Sequence, residues 1–494
     1  MHRAGWALFI AALGLVAAYL LIAWWYSTLT PTVRVSGEEG WRRAVLFDTT
    51  AEPSYPKFIA LLAHTNRQCP SCAQNWLFVP VEVPIQFVGT AVGLEHLDEG
   101  IWRNELVQQV EESSSPDDAK WQLGAWLIAD AQAKLKALRP LLQERPFGLV
   151  PQLVWSERDA RFFGVAPFQW DAVDTSADSW SGAMAYCDMP SREFLLEVAR
   201  ILTLDARYAA HEGDGRRAAA SLTAAMEAAD RSLEPGTFVA QATAVGIRAR
   251  VWRRLAEVVS AKPEAFDDAA LDELERLIAW VGDGPIPVET RAIRAQVADD
   301  IQRSFTDDGA GSGWPIASSV LVAMDGSMMG LGPPAYEPDP VSFLLGPLIA
   351  CFMPSRADFE ARVDRVFDQL EAESRKPFWE RAPAKDSPSL LLAPGDSLVE
   401  SVTGVYAELA NRVEFLAADR ETARVALASE RFRRAEGRAP NTLDELVPKY
   451  LREIPRDVKT GKPLTGKPRT GKPLTGKAST RLDDLPDDAG SHEP

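Results

Sequence analysis

The hydrophobic pattern of the chain begins with one uninterrupted apolar run. From Gly5 to Trp25 no residue is charged, and most positions are Ala, Leu, Ile, Val, Phe or Trp. At about 1.5 Å per residue, a helix over this run would be roughly 30 Å long, which matches the hydrocarbon core of a bilayer. Aromatic side chains such as Trp24 and Tyr26 at its end favour the headgroup layer. The pattern predicts a transmembrane anchor in residues 1–26.

A cleaved signal peptide is the competing interpretation of the same run. Its apolar core would be shorter, about 7–15 residues, and would end in small residues at the cleavage site. Here the run ends in bulky Trp24 and Trp25, so an uncleaved anchor is favoured. Arg3 and Arg34 flank it on opposite sides, so charge sets the topology only weakly. The short N-terminal flank favours a single pass through the bacterial cytoplasmic membrane, with the bulk of the chain extracytoplasmic, in the periplasm.

No second run of comparable length follows in the sequence. The segment Phe343–Phe352 is apolar, but it is far too short to span a bilayer and contains Gly346 and Pro347. The sequence therefore predicts one membrane pass.

Apolar stripes at spacings of three and four dominate the remainder and predict amphipathic helices. One begins at Asp117 and Asp118, and Pro140 should kink or end it. Further helices are predicted over residues 190–211, 216–233, 236–261, 263–281, up to about 305, 355–375 and 396–436. Short Gly/Pro turns join them, as in α-hairpin arrays, although no 34-residue repeat is present. The predicted fold is mainly α: the transmembrane helix, then an irregular, tetratricopeptide-like α-hairpin array.

The least helical stretch precedes this array. Residues 27–43 have the composition of a juxtamembrane linker, and Leu77–Val88 favours strands, although Pro80 and Pro84 would restrict any strand to an edge. These patterns predict the following organisation: anchor, 1–26; irregular, β-leaning segment, 27–94; helical array, 95–305; Gly/Pro/Met-rich loop, 306–340; C-terminal helical region, 341–458; and repeat tail, 459–494.

Composition narrows the possible functions. The formal net charge of −17 argues against binding nucleic acid, because a phosphate backbone requires a basic surface. With 46% hydrophobic residues, the chain can bury a substantial core. Phosphate-binding glycine loops and nucleophile elbows are missing from the sequence, so we predict no cofactor.

The C-terminal block 426–464 carries a recognisable motif. A helix end is followed by Gly437-Arg-Ala-Pro, then LDELVPKYLREIPRD and TGKPL. This block resembles uncharacterised membrane-anchored helical proteins of planctomycetal type, and it is similar to the end of type II secretion major pseudopilins. The Glu212-Gly-Asp turn fits the same planctomycetal proteins. The resemblance implies a small structural clip behind a long helix. The following TGKPL repeats are too rich in Gly and Pro to form a core and are predicted to be disordered.

Candidate chemistry centres on Cys69-Pro-Ser-Cys72. Such a C-x-x-C pair can cycle between dithiol and disulfide if a helix begins there and lowers the pKa of the first thiol; Ala73–Trp76 is compatible with a helix. A metal site would add His64, with a distant fourth ligand such as His96 or Cys187. A structural disulfide and plain buried thiols remain alternatives.

A hydrolase would have to use one of the few internal histidines. His211 ends a predicted helix, where the helix dipole would stabilise a protonated side chain, so capping accounts for this histidine.

The sequence favours a non-catalytic scaffold that binds a protein partner. The alternatives are a thiol-redox or metal-binding protein centred on Cys69 and Cys72, and an accessory component of an envelope secretion or assembly system.

Overall fold

The structure is a computed structural model of the 494-residue chain. It describes residues 2–29, 118–144, 191–234, 237–280, 289–307, 312–316, 340–351, 353–381 and 396–465, with short strands and single residues between them. Most of these residues are helical, which confirms the predicted mainly α class.

The N-terminal apolar run forms helix α1 (His2–Ser27). The segment Ile10–Ser27 is long and apolar enough to cross a membrane, and only 11% of it is buried. Large side chains such as Leu15, which is 73% exposed, therefore have little protein around them. A helix that is apolar on all sides is typical of a membrane span or a deep protein core, and α1 lacks the cover of a core helix.

Short antiparallel strands lie between α1 and the helical body. Strand β1 (Ala63–Thr65) pairs with β2 (Ala73–Asn75), and β3 (Pro80–Val81) pairs with β4 (Ile101–Trp102). The predicted possibility of a helix after Cys72 is wrong, because residues 73–75 complete a strand pair with residues 63–65 instead.

The body is organised around the hairpin of α3 (Ser191–His211) and α4 (Gly215–Ser232). Between them Gly213 has a φ of 84°, a left-handed conformation that glycine adopts without a steric penalty. Asp214 caps α4, because its carboxylate accepts the backbone N–H of Arg217 at 3.0 Å. The predicted turn at residues 212–215 is confirmed.

Alanines allow the central helices to approach closely. Within α4 the side chains of Ala218, Ala225 and Ala229 are fully buried. Helix α5 (Phe238–Ala261) packs on α3, on α4 and on the long helix α10 (Asp396–Glu436), as its apolar side chains face all three.

The bounds of the other helices are Ala119–Gln143 for α2, Asp268–Trp280 for α6, Arg291–Ser304 for α7, Pro340–Ala350 for α8 and Arg356–Ser374 for α9. Helix α2 packs on α3 and α4, α6 packs on α4 and α10, and α9 packs on α7 and α10. Helix α2 continues for three residues beyond Pro140, so Pro140 does not end the helix, and a kink there stays a prediction.

The C-terminal block folds back on the end of α10. Gly437, with a φ of 69°, ends the helix, and a 3-10 turn follows at Leu443–Leu446. Phe432 of α10 then packs in one apolar cluster with Leu451 and its neighbours. The predicted clip behind the long helix is confirmed.

Candidate functional site

The residues predicted for redox or metal chemistry are Cys69, Cys72 and His64. Both cysteines lie outside the described residues, as do His96 and Cys187. The backbone of His64 is in strand β1. No cluster of three or more metal-ligating side chains occurs in the part of the chain that the structure describes. The redox and metal hypotheses remain predictions, and the redox hypothesis loses the helix N-terminus that would activate its first thiol.

A charged cluster lies between α3 and α5. The Arg207 guanidinium stands 4.8 Å over the Trp121 ring and forms an ion pair of 3.1 Å with Glu257. Arg207 also donates to the backbone carbonyl of Glu111 at 3.4 Å, and the Glu111 carboxylate pairs with Arg250. Each of these guanidinium groups thus has a carboxylate partner.

Glu197 is the carboxyl of this cluster with a perturbed pKa. Burial raises the pKa of Glu197, the nearby Glu111 raises it further, and Arg200 and Arg250 oppose both effects. A buried carboxyl with a raised pKa is a candidate general acid. Arg200 nevertheless holds it at 2.7 Å, an arrangement typical of a structural ion network.

His211 contacts the same cluster. Its ring lies 4.4 Å from the Trp121 ring, and burial, Lys262 and Arg207 all lower the pKa of His211. Glu257 and Glu264 oppose these effects, and the interpretation of His211 as a cap of α3 stays a prediction.

The outer face of α6 forms a shallow hollow of about 570 Å³. Helix α6 begins at Asp268 because the Asp267 carboxylate accepts the Ala270 N–H at 2.8 Å. Its apolar positions recur at spacings of three and four and face α4 and α10, which turns the opposite stripe to solvent. The hollow is lined by Ala269, Asp272, Glu275, Arg276 and Ala279.

Arg431 of α10 fixes the acidic side of this hollow. Its guanidinium lies 2.9 Å from Glu275 and 3.5 Å from Asp268, and it also contacts Asp272. Burial alone would lower the pKa of Arg431, but the hydrogen bonds to Glu275 and Asp272 raise it above its ordinary value. The arginine stays charged and holds these carboxylates in place.

The acidic side chains remain available from solvent. The Asp272 and Glu275 side chains are 61% and 51% exposed, whereas that of Arg431 is 21% exposed. Ionised carboxylates have several acceptor positions, so both can accept further hydrogen bonds. The hollow therefore presents two exposed carboxylates beside the guanidinium of Arg276.

A second candidate site joins the anchor to the body. The Tyr26 hydroxyl donates to the Pro315 carbonyl at 2.6 Å, and the Thr32 N–H donates to the Phe305 carbonyl at 3.3 Å. The Arg34 N–H donates to the Gln302 side chain at 3.0 Å. Part of the predicted juxtamembrane linker is thus bound to the body.

Asp307 is the buried centre of this junction. Its side chain is 3% exposed and pairs with Arg34 and, at 3.6 Å, with Arg356 of α9. Gly313 lies so close to the Thr306 carbonyl that this position has to be glycine, because a Cβ there would overlap the carbonyl. The junction therefore brings together the juxtamembrane chain, the turn after α7 and the start of α9.

Comparison with known proteins assigns no family to this chain: no family model, curated protein or solved structure matches it.

Neither candidate site was predicted from the sequence. In the sequence, the acidic residues of α6 have the pattern of ordinary solvated helix positions. Their arrangement around the hollow depends on contacts with Arg431, which lies about 155 residues later in the chain. The junction depends on contacts between residues about 270–325 positions apart. The one sequence signal for the hollow is the apolar stripe of α6, which predicts that the acidic residues on the opposite side of this helix face solvent.

Proposed function

We propose that this chain is a single-pass, membrane-tethered helical scaffold that binds a protein partner through the outer face of α6. In this proposal α1 spans the bacterial cytoplasmic membrane and the helical body lies on the extracytoplasmic, periplasmic side. The observation that carries the proposal is the docking of the juxtamembrane chain onto the body at Tyr26, Thr32 and Arg34.

A docked junction has a consequence that a flexible linker lacks. A linker retains a domain near a membrane but lets it rotate freely. The hydrogen bonds of Tyr26, Thr32 and Arg34, together with the ion pair between Arg34 and Asp307, instead hold the body in one orientation to α1. Fixed orientation is useful to a protein that presents a binding face.

The chemistry of the α6 face indicates the type of partner. Exposed carboxylates flank two small alanines, so a protruding lysine or arginine side chain of another protein could enter the hollow. The α3–α4–α5 hairpins that support it would act as a tetratricopeptide-like platform, in which stacked helices offer a broad binding surface.

The test uses the full chain, captured from membranes after chemical cross-linking. Ala269→Arg and Ala279→Arg add bulk and positive charge to the hollow without touching the core, since both alanines are exposed. Ala361→Arg is the matched control on the exposed side of α9. We expect the two hollow variants to lose at least about tenfold of the cross-linked partner, and the control to keep it. Equal capture by all three variants would refute the proposed binding face.

A further inference from the structure

Helix α8 lies alongside the anchor helix. The Tyr19 hydroxyl of α1 donates a hydrogen bond to the Leu344 carbonyl of α8, and Tyr26 packs with Ala350 in one apolar cluster. Seven residues separate these contacts on α1 and six on α8, so the two helices run side by side in the same direction. At 1.5 Å per residue, Leu344 is about 10 Å further along α1 from the Tyr26 end.

This placement decides where α8 lies if α1 crosses a bilayer. Tyr26 ends the apolar run, at the depth of the headgroups, so a helix packed beside Tyr19 is inside the hydrocarbon. We infer that α8 is a half-membrane helix: it lies in the leaflet nearest the body, packs on the anchor and turns its outward leucines to lipid acyl chains. The inference rests on the spanning role proposed for α1.

The side chains of α8 fit a lipid environment. No charged residue occurs between Pro340 and Ala350. Leu344, Leu345 and Leu348 are 42–49% exposed, and they continue the open apolar surface of α1. Exposure of this apolar surface to water is unfavourable, whereas large apolar residues favour insertion into a membrane.

The polar groups of the pair also fit. A lone tyrosine hydroxyl is costly in hydrocarbon. The Tyr19 hydroxyl has an acceptor in the Leu344 carbonyl, as polar groups of packed membrane helices do.

Acidic residues oppose insertion. Glu337 and Asp339 come directly before α8 in the sequence. A charged carboxylate inside the bilayer is costly, and the apolar residues of α8 do not offset this cost by themselves. The residence of α8 in lipid therefore depends on its packing against α1, which is why the position of α8 has to be measured together with that of the anchor.

The test is depth-dependent fluorescence quenching of the full chain in phosphatidylcholine vesicles that contain lipids brominated near mid-chain. A polar-sensitive fluorophore is attached to single cysteines introduced as Leu348→Cys or Leu345→Cys on α8, after the native cysteines have been replaced by serine. Leu13→Cys reports the anchor, and Ala361→Cys reports a water-exposed position of the body.

We expect positions 345 and 348 to be quenched about as strongly as position 13, and position 361 to be unaffected. Quenching at 13 with none at 345 and 348 would overturn the inference and leave the anchor intact. No quenching at any position would overturn the membrane role of α1 and, with it, this inference.

Discussion

The carboxylate of Asp205 accepts hydrogen bonds from two nitrogens of Arg217, Nε at 3.0 Å and Nη2 at 2.6 Å. Gln132 and Arg139 of α2 bond to the same carboxylate, both at 2.6 Å, and so does Ser221 of α4. Asp205 itself is fully buried in α3. One side chain therefore fixes α2, α3 and α4 relative to one another, and its bonds to the two arginines are strengthened by charge.

Asp205→Ala should therefore be strongly destabilising. Two arginines would lose their buried acceptor, and the loss of one partner from such a network costs about 3–5 kcal/mol. The measurement is urea unfolding of the full chain in detergent micelles, followed by far-UV circular dichroism. The control Asp214→Ala removes only the cap of α4 and should cost about 0.5–2 kcal/mol. Equal losses in the two variants would contradict the central role of Asp205.

Two helical glycines should respond oppositely to alanine. A Cβ at Gly124 would overlap the Tyr208 hydroxyl, which donates to the Trp121 carbonyl at 2.8 Å, so Gly124→Ala should destabilise by about 1–3 kcal/mol. Gly246, in α5, has open space at the same position. Gly246→Ala should stabilise by about 0.4–1 kcal/mol through the unfolded chain. Thermal unfolding under the same conditions compares them, and destabilisation by both substitutions would contradict the close packing at Gly124.

Asp419 makes stability depend on pH. Burial raises the pKa of Asp419 to about 6, and Arg253, 3.2 Å away, opposes this only in part. Because the folded-state pKa lies above the unfolded one, the charged carboxylate destabilises the fold above pH 6, and protonation removes this penalty as pH falls towards 4. Asp419→Asn should therefore stabilise at pH 7.5 by up to about 3 kcal/mol, with no effect below pH 4.

The measurement for Asp419 is urea unfolding at several pH values. Asp364→Asn, at an exposed position of α9, is the control and should change stability by less than about 0.5 kcal/mol throughout. An Asp419→Asn variant with the same pH profile as the native chain would show that the burial of this carboxyl has no energetic effect.

Asp307→Asn should loosen the anchor junction. Removal of the charge weakens the ion pairs of Asp307 with Arg34 and Arg356 and loosens the chain after α1, so the protected N–H groups of Thr32 and Arg34 should exchange at least about tenfold faster. Hydrogen exchange with mass spectrometry measures this. Asp368→Asn, whose carboxyl is 72% exposed, is the control. Unchanged exchange would contradict a fixed junction.

The sequence predicted the helices well wherever one amphipathic face packs on the core. The bounds of α10 agree with the prediction at both ends, and those of α9 differ by one residue, because periodicity and capping residues act locally. The hairpin turn at Gly213 was predictable for the same reason, since a left-handed residue there requires glycine.

The sequence did not predict what depends on distant contacts. The apolar residues of α8 were too few to span a membrane, and their role depends on α1, more than 300 residues earlier. The continuation of α2 beyond Pro140 also depends on such contacts, because Leu142, two residues further on, is buried in the core of the body. Likewise, the acidic hollow depends on an arginine of α10, which periodicity on α6 cannot show.

The proposed position of α1 across the membrane, with the helical body on the extracytoplasmic side, can be tested with two reporters fused after Pro494. One is alkaline phosphatase, which is active only outside the cytoplasm, and the other is green fluorescent protein, which is fluorescent only inside it. We expect an active phosphatase fusion and a dark fluorescent fusion. An inactive phosphatase fusion together with a bright fluorescent fusion would place the body in the cytoplasm and refute this topology.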